Sequence, residues 1–135
     1  MDPKEKRLRS LMEAWNLRDP DAALAQMGPE PVYVNPPNAV EPGTRRGRDE
    51  FLEVFRKQWE MLGDARWSIE RIHIQGDEAI VEGSISRGMP DSTARIENRG
   101  LLKAVFDGDL IQRVEALGAG SDYDEALKAA GLGDE

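Results

Sequence analysis

Four strand-like segments follow one another in the second half of the chain, and their order constrains the fold more than any other feature. These segments cover residues 66–75, 78–87, 93–106 and 110–117. The breaks between them are short and rich in Gly and Asp, as in Gly76-Asp77 and Asp107-Gly108-Asp109, which is typical of β-hairpins. Consecutive strands with tight turns predict an antiparallel meander, because parallel neighbours need long crossover connections.

Helical periodicity dominates the first half of the chain. A first apolar stripe with the spacing of an amphipathic helix comprises Leu8, Leu11, Met12 and Trp15. Asp19-Pro20 has the composition of a helix start and predicts a second helix that continues to Met27. Apolar side chains recur with the same spacing between residues 51 and 62 and predict a third helix. A short last helix is predicted after Asp122.

A short strand and a long loop separate the second and third helices. The strand, residues 32–35, places its two valines on one face and Tyr33 with Asn35 on the other. Residues 36–47 contain three prolines and two glycines and predict a loop. Because helices come early and strands late, the sequence favours an α+β fold, which we expect to form a single domain over residues 1–135.

The composition excludes several classes of function. The chain has no cysteine and one histidine, so a disulfide scaffold, a zinc ribbon and a thiol active site are excluded, and we expect no metal ion and no cofactor. Its 18 Lys and Arg residues against 26 Asp and Glu residues give a net charge of -8, which disfavours nucleic acids and anionic lipids as partners. No apolar run approaches the roughly 20 residues that span a membrane. The charged N-terminus lacks the apolar region of a signal peptide, so a cytoplasmic location is expected.

The order and spacing of several short motifs resemble one protein family. Trp15 lies in the first helix, a Val-Tyr-Val-Asn-Pro strand leads into the proline-rich loop, and Arg46-Gly47-Arg48-Asp49-Glu50-Phe51 closes that loop. Phe106-Asp107-Gly108 occupies the last hairpin of the meander, and an Asp-Glu-Ala-Leu helix follows. Together these features resemble the SnoaL-like branch of the nuclear transport factor 2-like superfamily, which also contains ketosteroid isomerases and limonene epoxide hydrolases.

The resemblance implies a cone, in which a strongly curved antiparallel sheet wraps around the N-terminal helices and a pocket opens at the wide end. Members of such families bind small, largely apolar molecules there and often pair through the outer face of the sheet. The resemblance therefore implies a small apolar molecule as partner and a homodimer as assembly. It does not imply one reaction, because this fold hosts isomerases, cyclases, hydrolases and non-catalytic domains.

The chemistry of ketosteroid isomerases does not transfer to this sequence. Asn35 stands where those enzymes carry a carboxylate base, and an amide cannot take a proton at neutral pH. Leu102 stands where the neutral acid of their oxyanion hole is expected, and its side chain is apolar. Both the base and the acidic donor of an enolate-forming site are therefore missing.

The comparison with limonene epoxide hydrolases implies a partial site. The Tyr-x-Asn pair with which those enzymes hold the attacking water is similar to Tyr33 and Asn35, and their last-strand carboxylate falls on Glu115. The Arg-x-Asp that they need in the middle of the meander is replaced by Glu82 and Ser84 in an ungapped match, or by Gly83 and Ile85 after a one-residue slip. A proton-sharing pair of Glu82 and Glu115 requires that both side chains point into the pocket and that burial raises one pKa.

Two functions from different classes stay open at this point. One is a cofactor-independent isomerase, cyclase or hydrolase, and the other is a non-catalytic small-molecule-binding or dimeric accessory domain. The candidate catalytic residues are Tyr33, Asn35, Glu115 and Glu82, and the candidate ligand-binding residues are Met12, Trp15, Phe55 and Trp59. The alternative interpretation exposes the Tyr-x-Asn pair at a sheet edge and assigns the aromatic residues to the core. His73 shares a strand face with two polar residues and is predicted to be exposed.

Overall fold

Helices and strands follow one another in the order that the sequence predicts, with one additional strand. The computed structural model describes residues 2–35, 42–88, 95–117 and 123–129, and the helices within them are α1 (Pro3–Leu17), α2 (Pro20–Leu24), α3 (Arg48–Leu62) and α4 (Tyr123–Ala129). The strands are β1 (Met27–Asn35), β2 (Gly43–Arg46), β3 (Arg66–Gln75), β4 (Glu78–Gly88), β5 (Arg95–Asp107) and β6 (Leu110–Ala116). None of the helices in these ranges is long and apolar enough to cross a membrane.

The described strands form one curved, unclosed sheet in the order β2-β1-β6-β5-β4-β3. Strands β3 to β6 make the predicted antiparallel meander, and the α+β architecture with N-terminal helices packed on the sheet is confirmed. One pairing differs from the fully antiparallel expectation, because β1 runs parallel to β6. These two strands are separated in sequence by α3 and the meander, so no hairpin dictates their relative direction.

The transition from α2 to β1 comes earlier than the sequence predicts. Helix α2 ends at Leu24 instead of continuing to Met27, and Met27 is already the first residue of β1. The prolines between Met27 and Val32 argue against a regular strand, but they fall where the pairing with β6 is irregular. A proline is tolerated at such an irregularity because no ladder hydrogen bond depends on its missing N–H.

The prediction of an uninterrupted loop over residues 36–47 is wrong in its second half. Gly43–Arg46 form β2, a short strand that pairs antiparallel with β1 at the edge of the sheet. A short edge strand tolerates the glycines and the preceding proline that make a central strand improbable. Residues 36–41, residues 89–94 and the predicted cap Asp122 lie outside the described part of the chain.

The sheet has an inner face, which packs on α1 and α3, and an outer face. Core residues on the inner face are Ala79, Val81, Ala104, Phe106, Ile111 and Val114. The buried residues of α1 and α3 that belong to the same core are Leu8, Leu11, Ala14, Trp15, Phe51, Leu52 and Phe55. Because successive side chains of a strand alternate, the strand residues between the inner ones point to the outer face.

The C-terminal end of α1 is tied to the start of β3, and this contact fixes the position of Trp15. Asn16 Nδ2 donates to the carbonyl of Trp67 at 2.9 Å, and the Trp67 N–H donates to Asn16 Oδ1 at 2.7 Å. Arg18 ends the helix in the left-handed region, with φ of 56°, and donates to the carbonyl of Ala65 at 2.9 Å. A side-chain amide thus satisfies backbone groups at the edge of the sheet.

Strands β3 and β4 approach each other closely at Gly83. The register of β3 shifts between Ile69 and Arg71, as in a β-bulge. A Cβ at Gly83 would lie 2.6 Å from the carbonyl oxygen of Ser68 and 2.8 Å from Trp67 Nε1. Only glycine therefore allows this approach without a movement of the backbone.

Gly83→Ala is expected to destabilise the protein by about 1–3 kcal/mol, because the added methyl group forces β3 away from β4. The matched control is Gly100→Ala on the adjacent strand, since Gly100 pairs with Gly83 and a Cβ there meets nothing within 4 Å. Urea unfolding followed by circular dichroism measures both variants. Equal stability of the two would contradict the close approach.

Two exposed carboxylates join segments that are distant in sequence. Asp64 accepts a hydrogen bond from the Gly88 N–H at 3.0 Å, which lowers the pKa of Asp64, and Arg95 contributes in the same direction. Asp109 accepts a hydrogen bond from Arg7 at 2.8 Å, which lowers the pKa of Asp109 below its ordinary 3.8. Both carboxylates therefore favour the ionised form more strongly in the folded protein than in the unfolded chain.

Stability is expected to fall at acid pH in a way that depends on Asp64 and Asp109. Their lowered pKa values mean that the contribution is fully present above the unfolded pKa and is lost as the pH falls through the folded pKa. Urea midpoints between about pH 6 and about pH 2.5 should therefore decrease less in the Asp64→Asn/Asp109→Asn double variant than in the wild type. If the urea midpoints of the two proteins fall equally with pH, the two carboxylates do not contribute to the acid sensitivity.

Candidate functional site

Strand β1 carries Tyr33 and Asn35 on the inner face of the sheet. Tyr33 is paired in register with Val114, an inner-face residue of β6. Only 6% of Tyr33 is exposed, and its ring packs edge-to-face against Phe51 at a centroid distance of 5.4 Å. Asn35 lies two residues further along the strand and is half-buried. The strand therefore directs both side chains towards the helices, and Tyr33 is not exposed at the sheet edge.

Helix α3 presents aromatic side chains to the interior at four-residue intervals. The ring centroids of Phe51 and Phe55 are 5.5 Å apart, and those of Phe55 and Trp59 are 6.0 Å apart. From the other side, Trp15 of α1 packs edge-on to Trp67 of β3 at 6.5 Å. The interior between the two helices and the sheet is thus lined largely by aromatic rings.

The four residues predicted to bind a ligand differ in burial. Trp15 and Phe55 are buried within the core, whereas Met12 and Trp59 are half-buried. Core packing alone accounts for the burial of the first two. Met12 and Trp59 keep part of their surface accessible, so they are better placed to contact a ligand.

Gln58 connects α3 with α1 and was not predicted from the sequence. Trp15 Nε1 donates a hydrogen bond to Gln58 Oε1 at 2.9 Å. An indole N–H can only donate, so this bond assigns the carbonyl oxygen of Gln58 to the side that faces Trp15 and leaves its NH2 group as a donor. No sequence pattern singles out Gln58, because a glutamine in an amphipathic helix is usually solvent-exposed.

Tyr33 is affected by both its burial and Gln58. Burial raises the pKa of Tyr33, and a hydrogen bond with Gln58 has a smaller effect in the opposite direction. A hydrogen bond that lowers the pKa of a phenol is one that the phenol oxygen accepts. The Oε1 atom of Gln58 already accepts from Trp15, so its NH2 group is the part of this side chain that is left as a donor. Gln58 thus binds Trp15 of α1 and influences the pKa of Tyr33 of β1.

The structure does not bring Glu82 or Glu115 to Tyr33. Glu115 pairs in register with Val34, the neighbour of Tyr33 in β1, so its side chain lies on the outer face. Glu82 lies between two inner-face residues of β4 and binds Arg71 on the outer face at 2.6 Å. The sheet itself separates both carboxylates from the Tyr33 hydroxyl, so they cannot share a proton beside it.

The described inner face offers no alternative acid or base from the sheet. The inner positions of β3 to β6 in the described ranges contain no Asp, Glu or His. His73 lies on the outer face, where its register partner is Ile80 and its Nε2 is 3.4 Å from Gln75 Oε1. Among the described residues, no group of three or more His, Asp or Glu side chains could hold a metal ion.

Comparison with known families agrees with this architecture. A family model described as a SnoaL-like domain matches residues 8–114. The chain belongs to the SnoaL-like domain family. No curated protein matches this SnoaL-like domain in sequence.

Several solved structures share the fold of this SnoaL-like domain. TerC, co-crystallised with polyporic acid, is 17% identical, with a TM-score of 0.73 over 97% of this chain and 98% of TerC. A protein of unknown function with a cystatin-like fold from Methylobium petroleophilum is 22% identical, with a TM-score of 0.73 over 98% of this chain and 92% of its own. RV0760c from Mycobacterium tuberculosis, in complex with estradiol-17beta-hemisuccinate, is 14% identical. Its TM-score is 0.71 over 89% of this chain and 96% of RV0760c. At these identities the likeness establishes the fold.

Proposed function

We propose that this SnoaL-like domain binds a small, largely apolar molecule between the inner face of the sheet and the helices α1 and α3, without a cofactor. The observation that carries the proposal is the burial of Tyr33, a side chain with a polar hydroxyl, in an aromatic interior. A hydrogen bond to a ligand is stronger in such a place than in water, because competing water is excluded. Asn35 offers a second polar contact from the same face.

Proteins that share this fold support a small-molecule ligand. TerC was crystallised with polyporic acid and RV0760c with estradiol-17beta-hemisuccinate. Both are small organic molecules, and both structures cover almost all of the present chain. The shared fold makes a ligand of comparable size the simplest interpretation of the aromatic interior.

Uncovered space on the inner face of β5 also supports the proposal. Gly100 precedes Leu102 by two residues and shares its face, and Leu102 packs against the core. A Cβ at Gly100 would meet no atom of the described chain within 4 Å, and Gly100 itself is exposed. The inner face is therefore open at this end of β5, which is where we place the entrance for a ligand.

Binding, rather than acid-base catalysis, is the function that the geometry favours. The hydrolase and isomerase hypotheses need a carboxylate within hydrogen-bond reach of Tyr33 or Asn35. Glu82 and Glu115 lie on the other side of the sheet, and the described inner positions of β3 to β6 carry no replacement. A donor-rich, mostly apolar interior can hold and orient a molecule without a proton acceptor of its own.

Gly100→Phe is expected to weaken ligand binding about tenfold or more, because its ring fills the proposed entrance. Naphthalene and 1-tetralone are suitable probes, and binding is measured by thermal shift and by intrinsic fluorescence. The fluorescence reports directly on the interior, since its three tryptophans are Trp15, Trp59 and Trp67.

Two controls accompany this experiment. Gly100→Ala leaves the space open, and Glu115→Gln changes only the outer face, so both variants should bind the probes like the wild type. The proposal fails if the wild type binds neither probe, or if Gly100→Phe binds them as tightly as Gly100→Ala does.

A homodimer is the assembly that we propose. The outer face of the sheet is not uniformly polar, because the half-buried Val34 and Val105 lie on it among charged side chains. Apolar positions on an exposed sheet face are stabilised when a second sheet covers them. The ion pairs around them, such as the one between Arg71 and Glu82, supply a polar rim of the kind found at interfaces.

Sedimentation at micromolar concentration should accordingly give twice the 15.0 kDa mass of the chain. Val105→Lys is expected to yield the monomer, because it places a charge at a half-buried apolar position of the outer face. Leu17→Lys is the matched control, since Leu17 is exposed on α1, which packs on the inner face and not on the outer one. A monomeric wild type would exclude the dimer.

A further inference from the structure

Two hydrogen-bond donors are shielded from solvent and have no acceptor in the described part of the chain. They are Arg87 Nε and Trp59 Nε1. A third shielded polar atom, Glu78 Oε1, differs from them because it lies 3.4 Å from Lys103 Nζ on the outer face. The unsatisfied positions are therefore both donors, which indicates that an acceptor from outside the described chain completes them.

Arg87 lies on the same inner face as the proposed entrance, four residues further along the paired strands. It follows Ile85 by two residues in β4, and Ile85 packs against the core. Strands β4 and β5 pair without a register shift over this length, so the alternation holds as far as Arg87. Gly100 lies on the neighbouring strand and on the same face. Arg87 is thus the one cationic residue at the described inner positions of β3 to β6.

No carboxylate in the described ranges forms an ion pair with Arg87. Arginines of the neighbouring strands β3 and β5 are paired on the outer face, as in the Arg71–Glu82 and Arg99–Glu70 contacts. Asp64, next to the end of β4, is engaged by the Gly88 N–H and by Arg95. A half-buried guanidinium without a counter-charge is costly, particularly in an acidic protein that has many carboxylates to offer.

We propose that Arg87 binds the carboxylate of an aromatic or alicyclic carboxylic acid whose apolar body occupies the interior. The inference rests on the proposed function and adds the chemical class of the ligand. A guanidinium recognises a carboxylate through two parallel hydrogen bonds, and the half-buried position of Arg87 strengthens them. Because the net charge of -8 repels anions in general, a local cation is what allows such a ligand to be accepted.

The test compares 2-naphthoate with 2-naphthamide, which have nearly the same shape and differ in charge. Calorimetric titration of the wild type at neutral pH should give a dissociation constant about tenfold lower for the carboxylate than for the amide. Arg87→Met keeps the aliphatic stem and should abolish this preference while the amide still binds. Arg87→Lys should keep part of the preference. Arg71→Met, on the outer face, should leave the ratio of the two constants unchanged.

Each outcome bears on one of the two proposals. If the amide binds the wild type as tightly as the carboxylate, or if Arg87→Met keeps the full preference, the role of Arg87 is refuted and small-molecule binding stands. If neither naphthalene derivative binds and naphthalene and 1-tetralone fail as well, the proposed function fails together with this inference. Should Arg87→Met prove unstable, the ratio measured for Arg87→Gln decides the question in the same way.

Discussion

The aromatic side chains of α3 pack on the inner face of the sheet, and the other elements are arranged around this contact. Phe51 is fully buried between Tyr33 and Phe55, with ring distances of 5.4 and 5.5 Å. Burial of one such side chain contributes about 1.5–3 kcal/mol, and each edge-to-face pair adds about 0.5–1.5 kcal/mol. Helix α3 lies over β1 and β2, whereas α1 lies over β3 and β6. The candidate site is the aromatic interior that these two helices enclose with the sheet.

The alternation of side chains decides which polar groups can share this interior. Tyr33 and Val114 point inward as register partners, so the next pair, Val34 and Glu115, points outward. The sequence did not determine this arrangement, because a register irregularity between Ile111 and Arg113 breaks the two-residue period just before Glu115. In β4 a different feature prevents the sequence from showing the direction of Glu82. Residues 79–81 are all apolar and buried, so their pattern does not show which face the following Glu82 takes.

Local periodicity was enough to predict the meander and the long helices, but not the elements that complete the sheet. Helices α1 and α3 repeat their apolar residues at helical spacing, and each break of the meander that lies in the described chain contains Gly and Asp. Strand β2 has no such signal, because Gly43–Arg46 become a strand only by pairing with β1. The same holds for Gln58, whose role depends on Trp15 approaching from another helix. Contacts between distant segments are what single-sequence patterns do not encode.

Charge is sorted differently on the two faces of the sheet. The outer face carries paired side chains, for example Arg71 with Glu82 at 2.6 Å and Lys103 with Glu78 at 3.4 Å. Pairs of this kind contribute at most about 1 kcal/mol each. Lys103 is also the register partner of Ile80, which is fully buried although it points outward.

Two shielded donors, one on α3 and one on the inner face of β4, have no acceptor in the described chain. Each buried, unsatisfied donor costs about 1–3 kcal/mol of folding stability, so a sequence shaped by stability alone would place apolar side chains at Trp59 and Arg87. Such a cost is expected where binding, rather than folding, satisfies the groups, and stability is given up at functional sites in this way. The oxygen acceptors missing from the interior are therefore the part of the interaction that we assign to the ligand.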